Sequence, residues 1–232
     1  MNRNDLDLLN REEVQALMST IRPDAVLNLA AILTVRIAES MPNFLDYSRN
    51  LSILDNVYSA AIQNGVRIVL QPGSFHCFAP GSSLPFKAHD VPKALGLNFT
   101  SPYAAAKSAE VLFYHSRAAW LEDSGTTFKL ILLPNVFGPF GPKDLSRDHF
   151  IGATITRVIS AKKSGDLSIS AYGNPEELRE YLFGLDAAKG LLDVLLSESE
   201  TPDFSVLSSG HKFTLEECWR AITEEIGYSG RV

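Results

Sequence analysis

The chain has 232 residues, 45% of them apolar and 21% charged, with a formal net charge of −6. That composition supports one large packed soluble domain, or one and a half small ones, and excludes a disordered chain. The acidic balance argues against nucleic acid or an anionic membrane as the main partner, and no apolar run approaches the length that crosses a bilayer. Two cysteines, Cys77 and Cys218, make no disulfide framework and suggest a reducing compartment. The polar start MNRNDLDLLNREE is not a secretory signal, so the expected location is the cytoplasm.

In chain order, Glu12 to Thr20 has helical period, and Arg22-Pro23-Asp24 is a turn. Ala25 to Leu29 reads as a buried strand ending in the small residues Ala30 and Ala31. Phe44 to Asn64 is a long helix stopped by Gly65. Val66 to Leu70 is a second strand, followed by a loop rich in Pro, Gly and Ser to about residue 100. Pro102 opens a helix reaching about Glu122, and Phe128 to Leu133 is a third strand closed by Pro134. Beyond Gly141 the spacing predicts a helix over Phe150–Lys163, a short strand over Leu167–Ala171 and a helix over Asp186–Leu196. A last strand follows over Phe204–Leu207, then a helix over Leu215–Ile226. Apolar strands alternating with helices predict an α/β fold with a parallel sheet covered on both faces.

The chemistry-bearing residues lie around one helix start. Tyr103 and Lys107 stand one turn apart in SPYAAAK, and Ser74 lies upstream, just past the second strand. A phenol titrates near pH 10 and is a poor proton donor or acceptor at neutrality, whereas an ammonium one turn away stabilises the phenolate. A serine hydroxyl can hold the oxygen that gains or loses the proton. Hydride chemistry at a carbonyl needs such a group at that oxygen, with a cofactor supplying the hydride. His89, His115 and His211 have no companions at metal-ligand spacing, so no metal site is expected.

These residues resemble those of the extended short-chain dehydrogenase/reductases, the NAD-dependent epimerase/dehydratase family. VLNLAA (26–31) resembles the strand whose small residues lie along the cofactor, and DNVYSAA (55–61) resembles the helix that follows it. Ser74 with Phe78 resembles the serine strand, Tyr103 and Lys107 fit the YxxxK motif, and LLPNVFGP (132–139) resembles RPxNVYGP with leucine for arginine. Within the family the chain also resembles the GDP-L-fucose synthases, which epimerise and then reduce a 4-keto sugar with NADPH. His149 stands in their register after Asn135, Arg157 follows on the next helix, and Arg179 follows Tyr172-Gly173.

The resemblance implies a Rossmann-type sheet and NADP (or NAD) as cofactor, with a nucleotide sugar as substrate. It implies proton transfer by Tyr103, with Lys107 lowering the energy of the phenolate and contacting the nicotinamide ribose, and Ser74 hydrogen-bonding the same oxygen. His149, and His76 at the position of the family's cysteine, would exchange protons next to the carbonyl. Leu29, Ala30, Ala31, Pro134 and Val136 would also line the cofactor. Asn135, His149, Arg157 and Arg179 would face the substrate, the arginines at its diphosphate. Phe75-His76 does not supply the Asp-Glu pair of a dehydratase. The plain alternatives are an ordinary helix-start aromatic at Tyr103, a turn serine at Ser74, surface arginines, and an Asn135 that only satisfies backbone.

The family opens with a strand, a GxxGxxG loop and a helix that holds the cofactor pyrophosphate. This chain has no such loop, and Met1 falls where the third strand of the usual order ends, so the sheet is expected to be N-terminally incomplete. Residues 1–140 are then a partial dinucleotide-binding domain, and 141–232 a small mixed substrate-binding part, also short at its end. The first strand, left with an open edge, is expected to recruit another copy or partner. The reading that rivals an enzyme is a truncated homologue serving as a structural or regulatory subunit, or an inactive fragment.

Overall fold

The computed structural model describes residues 6–32, 45–78, 102–118, 124–139, 141, 150–171, 173–197 and 201–232. The chain divides into two compact units. One comprises residues 1–34, 40–133 and 189–207, and the other 35–39, 134–188 and 208–232.

The first unit is built on a parallel sheet. Helix α1 (Arg11–Ile21) leads to strand β1 (Ala25–Leu27), α2 (Leu45–Gln63), β2 (Ile68–Ser74), α3 (Pro102–Ala118), β3 (Thr127–Leu133) and β6 (Phe204–Val206). The strand order is β1-β2-β3-β6, all parallel, with Ala25 opposite Ile68 and Ser74 opposite Leu133. The period of two along each strand sorts the core. Val69, Phe128, Leu130 and Leu132 face one side, where Val14 of α1, Leu54, Val57 and Tyr58 of α2, and Val111 of α3 close over them. Ile68, Leu70 and Ile131 face the other side and pack on Leu191 and Leu195 of helix α5 (Gly184–Leu196). Both faces are therefore covered by helices, as the apolar strands require.

Several boundaries differ from the sequence reading. Strand β1 stops at Leu27, short of Leu29, because the Asn28 side chain redirects the backbone. Its Oδ1 accepts from the Ala30 N–H at 3.2 Å, and its Nδ2 donates to Gln71 Oε1 at 2.7 Å. Strand β2 starts later than expected and runs on through Pro72 to Ser74. Leu70 turns its carbonyl to Asn28 of the β1 side at 3.0 Å, and groups two residues on point the same way. Pro72, with no N–H to offer, thus faces a side where β1 has already ended.

The second unit holds β4 (Asn135–Phe137), α4 (Phe150–Ser164), β5 (Leu178–Phe183), β7 (Lys212–Thr214) and α6 (Leu215–Ile226). Its sheet is mixed, β4 parallel to β5 and β5 antiparallel to β7. Val158 and Ala161 of α4 pack with Ile169 and Trp219. The strand expected over Leu167–Ala171 is absent. A single bridge joins Ser168 to Arg231, and on the side that Leu167 and Ile169 would share Leu167 is 84% exposed while Ile169 is buried, so the run anchors by Ile169 rather than by a continuous strand face.

Candidate active site

Ser74 ends β2 at the carboxyl edge of the parallel sheet, the edge at which open α/β sheets bind ligands. The strand passes directly into a 3₁₀ turn, Phe75–Cys77, which Ser74 caps. Its Oγ accepts from the His76 N–H at 3.2 Å and lies 3.1 Å from His76 Nδ1. The turn is fastened to α3, where Ser108 Oγ donates to the Cys77 carbonyl at 3.1 Å. That bond fixes the serine loop against the helix that carries Tyr103 and Lys107.

On α3, Tyr103 is half-buried and Lys107 is buried. The Lys107 ammonium sits 5.7 Å from the centre of the Tyr103 ring. The His76 and Tyr103 rings meet edge to face with centres 5.4 Å apart. Ser74, His76, Tyr103 and Lys107 are thus gathered in one place, with His76 exposed.

Two residues in this cluster were missed in the sequence. Ser108 is the fastener just described. Glu110 is the other: Lys107 Nζ donates to both its carboxylate oxygens, at 2.8 and 2.9 Å. Burial pushes the Glu110 carboxyl above the usual range, against the opposing pull of Lys107. The pairing was readable, since residues three apart on a helix share a face; the burial of both side chains was not. Cys77, one place past the family's cysteine position, is buried with its thiol pushed up to about 12 by desolvation, so it is no proton donor near neutrality.

Leu29 is 67% exposed at the carboxyl end of β1, followed by half-buried Ala30 and exposed Ala31. They follow the carboxyl end of β1, at the same edge of the parallel sheet as Ser74.

The remaining candidates lie in the second unit. Asn135 Nδ2 donates to the Glu180 carbonyl at 3.1 Å, so the amide braces β4 against β5. Val136 is half-buried in β4, behind buried Pro134. Arg179 is paired with Glu177 at 2.6 Å and 41% exposed, and Arg157 is half-buried on α4. His149 and Tyr172 lie outside the described residues.

A parallel sheet with serine, tyrosine and lysine at its carboxyl edge defines a Rossmann-type dinucleotide-dependent class. The model of the NAD dependent epimerase/dehydratase family matches residues 2–206, and the chain belongs to that family. It is 25% identical over 230 residues to the GDP-L-colitose synthase of Yersinia pseudotuberculosis, covering 97% of this chain and 73% of that protein. It is 26% identical over 236 residues to a GDP-L-fucose synthase of Sinorhizobium fredii, covering 100% and 72%. Among solved structures, a GDP-L-fucose synthetase from Naegleria fowleri bound to NADP superposes with a TM-score of 0.84 at 19% identity, covering 100% of this chain and 70% of that one.

Proposed function

We propose that the chain is an NADP(H)-dependent epimerase/reductase of a nucleotide-linked 4-keto sugar, with a GDP-sugar as the substrate class that its relatives' names support. The observation that carries this reading is the gathering of Ser74, Tyr103 and Lys107 at the carboxyl edge of the sheet. When bound, the nicotinamide dinucleotide supplies the hydride. Tyr103 gives its proton to the sugar C4 oxygen as the carbonyl becomes an alcohol. Ser74 donates to the same oxygen and holds it in line with the phenol. Lys107 favours the phenolate that Tyr103 leaves behind and holds the nicotinamide ribose.

For epimerisation, His76 and His149 take and return protons at the carbons beside the carbonyl, where enolisation makes them acidic. Contact of His76 with both Ser74 and the Tyr103 ring supports that role. Asn135, Arg157 and Arg179 face the substrate, the arginines at its diphosphate. The exposure of Arg179 supports this, with Glu177 as the partner that a phosphate would displace. Cofactor lining by Leu29, Ala30, Ala31, Pro134 and Val136 completes the assignment.

The protein works as a homo-oligomer in the cytoplasm. The free thiols of Cys77 and Cys218 support a reducing compartment, and among the described residues no helix is long and apolar enough to cross a membrane.

Solvent-deuterium exchange into a GDP-4-keto-6-deoxy sugar, followed by NMR, tests the epimerase half. The wild type exchanges C–H protons, and the double change His76→Gln with His149→Gln stops exchange. Exchange at the unmutated rate in that double variant leaves a plain reductase. No exchange and no reduction by the wild type leaves a non-catalytic homologue.

A further inference from the structure

We propose that Glu110 is a positioning residue for Lys107, holding its ammonium beside the Tyr103 ring and setting how readily the Tyr103–Lys107 pair gives up its proton. The proposal rests on the reading of that pair as the proton donor. Both partners are almost wholly buried, Lys107 at 6% and Glu110 at 4% exposure, and the carboxylate takes two hydrogen bonds from the one ammonium. For stability alone such a pair is a poor choice, because apolar residues of the same volume often pack as well or better. Its position one turn from Tyr103 gives it a chemical use.

Among the described residues, few groups face the pair. From α2 comes Tyr58 and from the 3₁₀ turn Cys77. Burial, reinforced by Glu110, pushes both above their ordinary values, so neither is charged near neutrality. Strands β2 and β3 present apolar Val69, Phe128, Leu130 and Leu132 to this side. His76 meets the Tyr103 ring edge to face and has Ser74 Oγ 3.1 Å from its Nδ1. Among the described residues, the negative charge paired with Lys107 is therefore that of Glu110.

A fixed negative charge makes every neighbouring proton harder to lose. Removing it lowers the pH at which the pair is deprotonated, whether the proton leaves the phenol or the ammonium. Reduction needs the phenol protonated and the ammonium charged, so both routes pull the basic limb of the reduction profile the same way. A residue that only filled space would leave that limb where it is.

The test uses the full chain and the variants Glu110→Gln and Glu110→Asp. The first readout is the ¹³Cε resonance of Lys107, assigned by its loss in Lys107→Arg and followed against pH without substrate or cofactor. The second is kcat/KM against pH for NADPH-dependent reduction of a GDP-4-keto-6-deoxy sugar. Glu110→Gln is expected to lower both midpoints by about one pH unit or more, with Glu110→Asp between it and the wild type. An unmoved Lys107 resonance overturns the proposal whatever turnover does. A moved resonance in a protein that reduces nothing upholds Glu110's hold on Lys107 and overturns the enzymatic reading instead. Should Glu110→Gln not fold, Glu110→Asp carries the test, and an unchanged resonance there is equally fatal.

Discussion

At the residue scale the candidate site divides by how far each side chain reaches. Tyr103 and Lys107 were legible because a four-residue spacing on a helix puts both on one face. Ser74 was legible as the polar residue ending an apolar run. Glu110 was not, because an acidic residue on a helix reads as solvated until the sheet and α2 are known to bury it. Tyr58 shows the same limit. It is fully buried, stacks on Phe128 with centres 4.4 Å apart, and its hydroxyl finds no hydrogen-bond partner among the described residues. A buried hydroxyl without a partner costs about 1–3 kcal/mol. Tyr58→Phe, which keeps the ring, is therefore expected to raise stability by about 1 kcal/mol or more, read from urea unfolding midpoints at unchanged m. A clear loss of stability would mean that the hydroxyl is satisfied.

At the element scale, helix α6, with complete local signals, was found at its true bounds. Helix α6 begins with Thr214 and Glu217 in a reciprocal capping box: Glu217 N–H donates to Thr214 Oγ1 at 3.1 Å, and Thr214 N–H to the Glu217 carboxylate at 2.8 Å. Strands β4, β5 and β7 escaped notice. Two are only three residues long, and β5 mixes Arg179 and Glu180 into its run, so no period of two stands out. The capping box predicts a pH dependence. The Thr214 backbone N–H holds the Glu217 carboxyl below the usual carboxylate range. The stabilisation is complete above the unfolded chain's carboxylate value and is lost as pH falls through the lower folded value. Melting temperatures of the wild type and Glu217→Gln should differ at pH 7 and converge near pH 3; a gap that persists in acid would contradict this. Thr214→Ala, which removes the cap itself, should cost about 1 kcal/mol at neutral pH.

At the scale of the whole molecule, the parallel sheet was legible from strand–helix alternation, whereas the departure of the chain after β3 into β4 and β5 before β6 rejoins the sheet was not. Among the described residues β1 pairs with β2 alone, which supports the oligomer proposed above. Light scattering should give a mass at a multiple of 25.5 kDa; a stable monomer would contradict it. On the function proposed above, this sheet edge carries out carbonyl reduction with Tyr103 as the acid. The direct measurement is NADPH oxidation with a GDP-4-keto-6-deoxy sugar by the wild type and Tyr103→Phe, with circular dichroism to show that both are folded. Turnover by the wild type is expected, with a loss of about two to four orders of magnitude in the variant. Near-normal turnover by folded Tyr103→Phe, or none by the folded wild type, would contradict it.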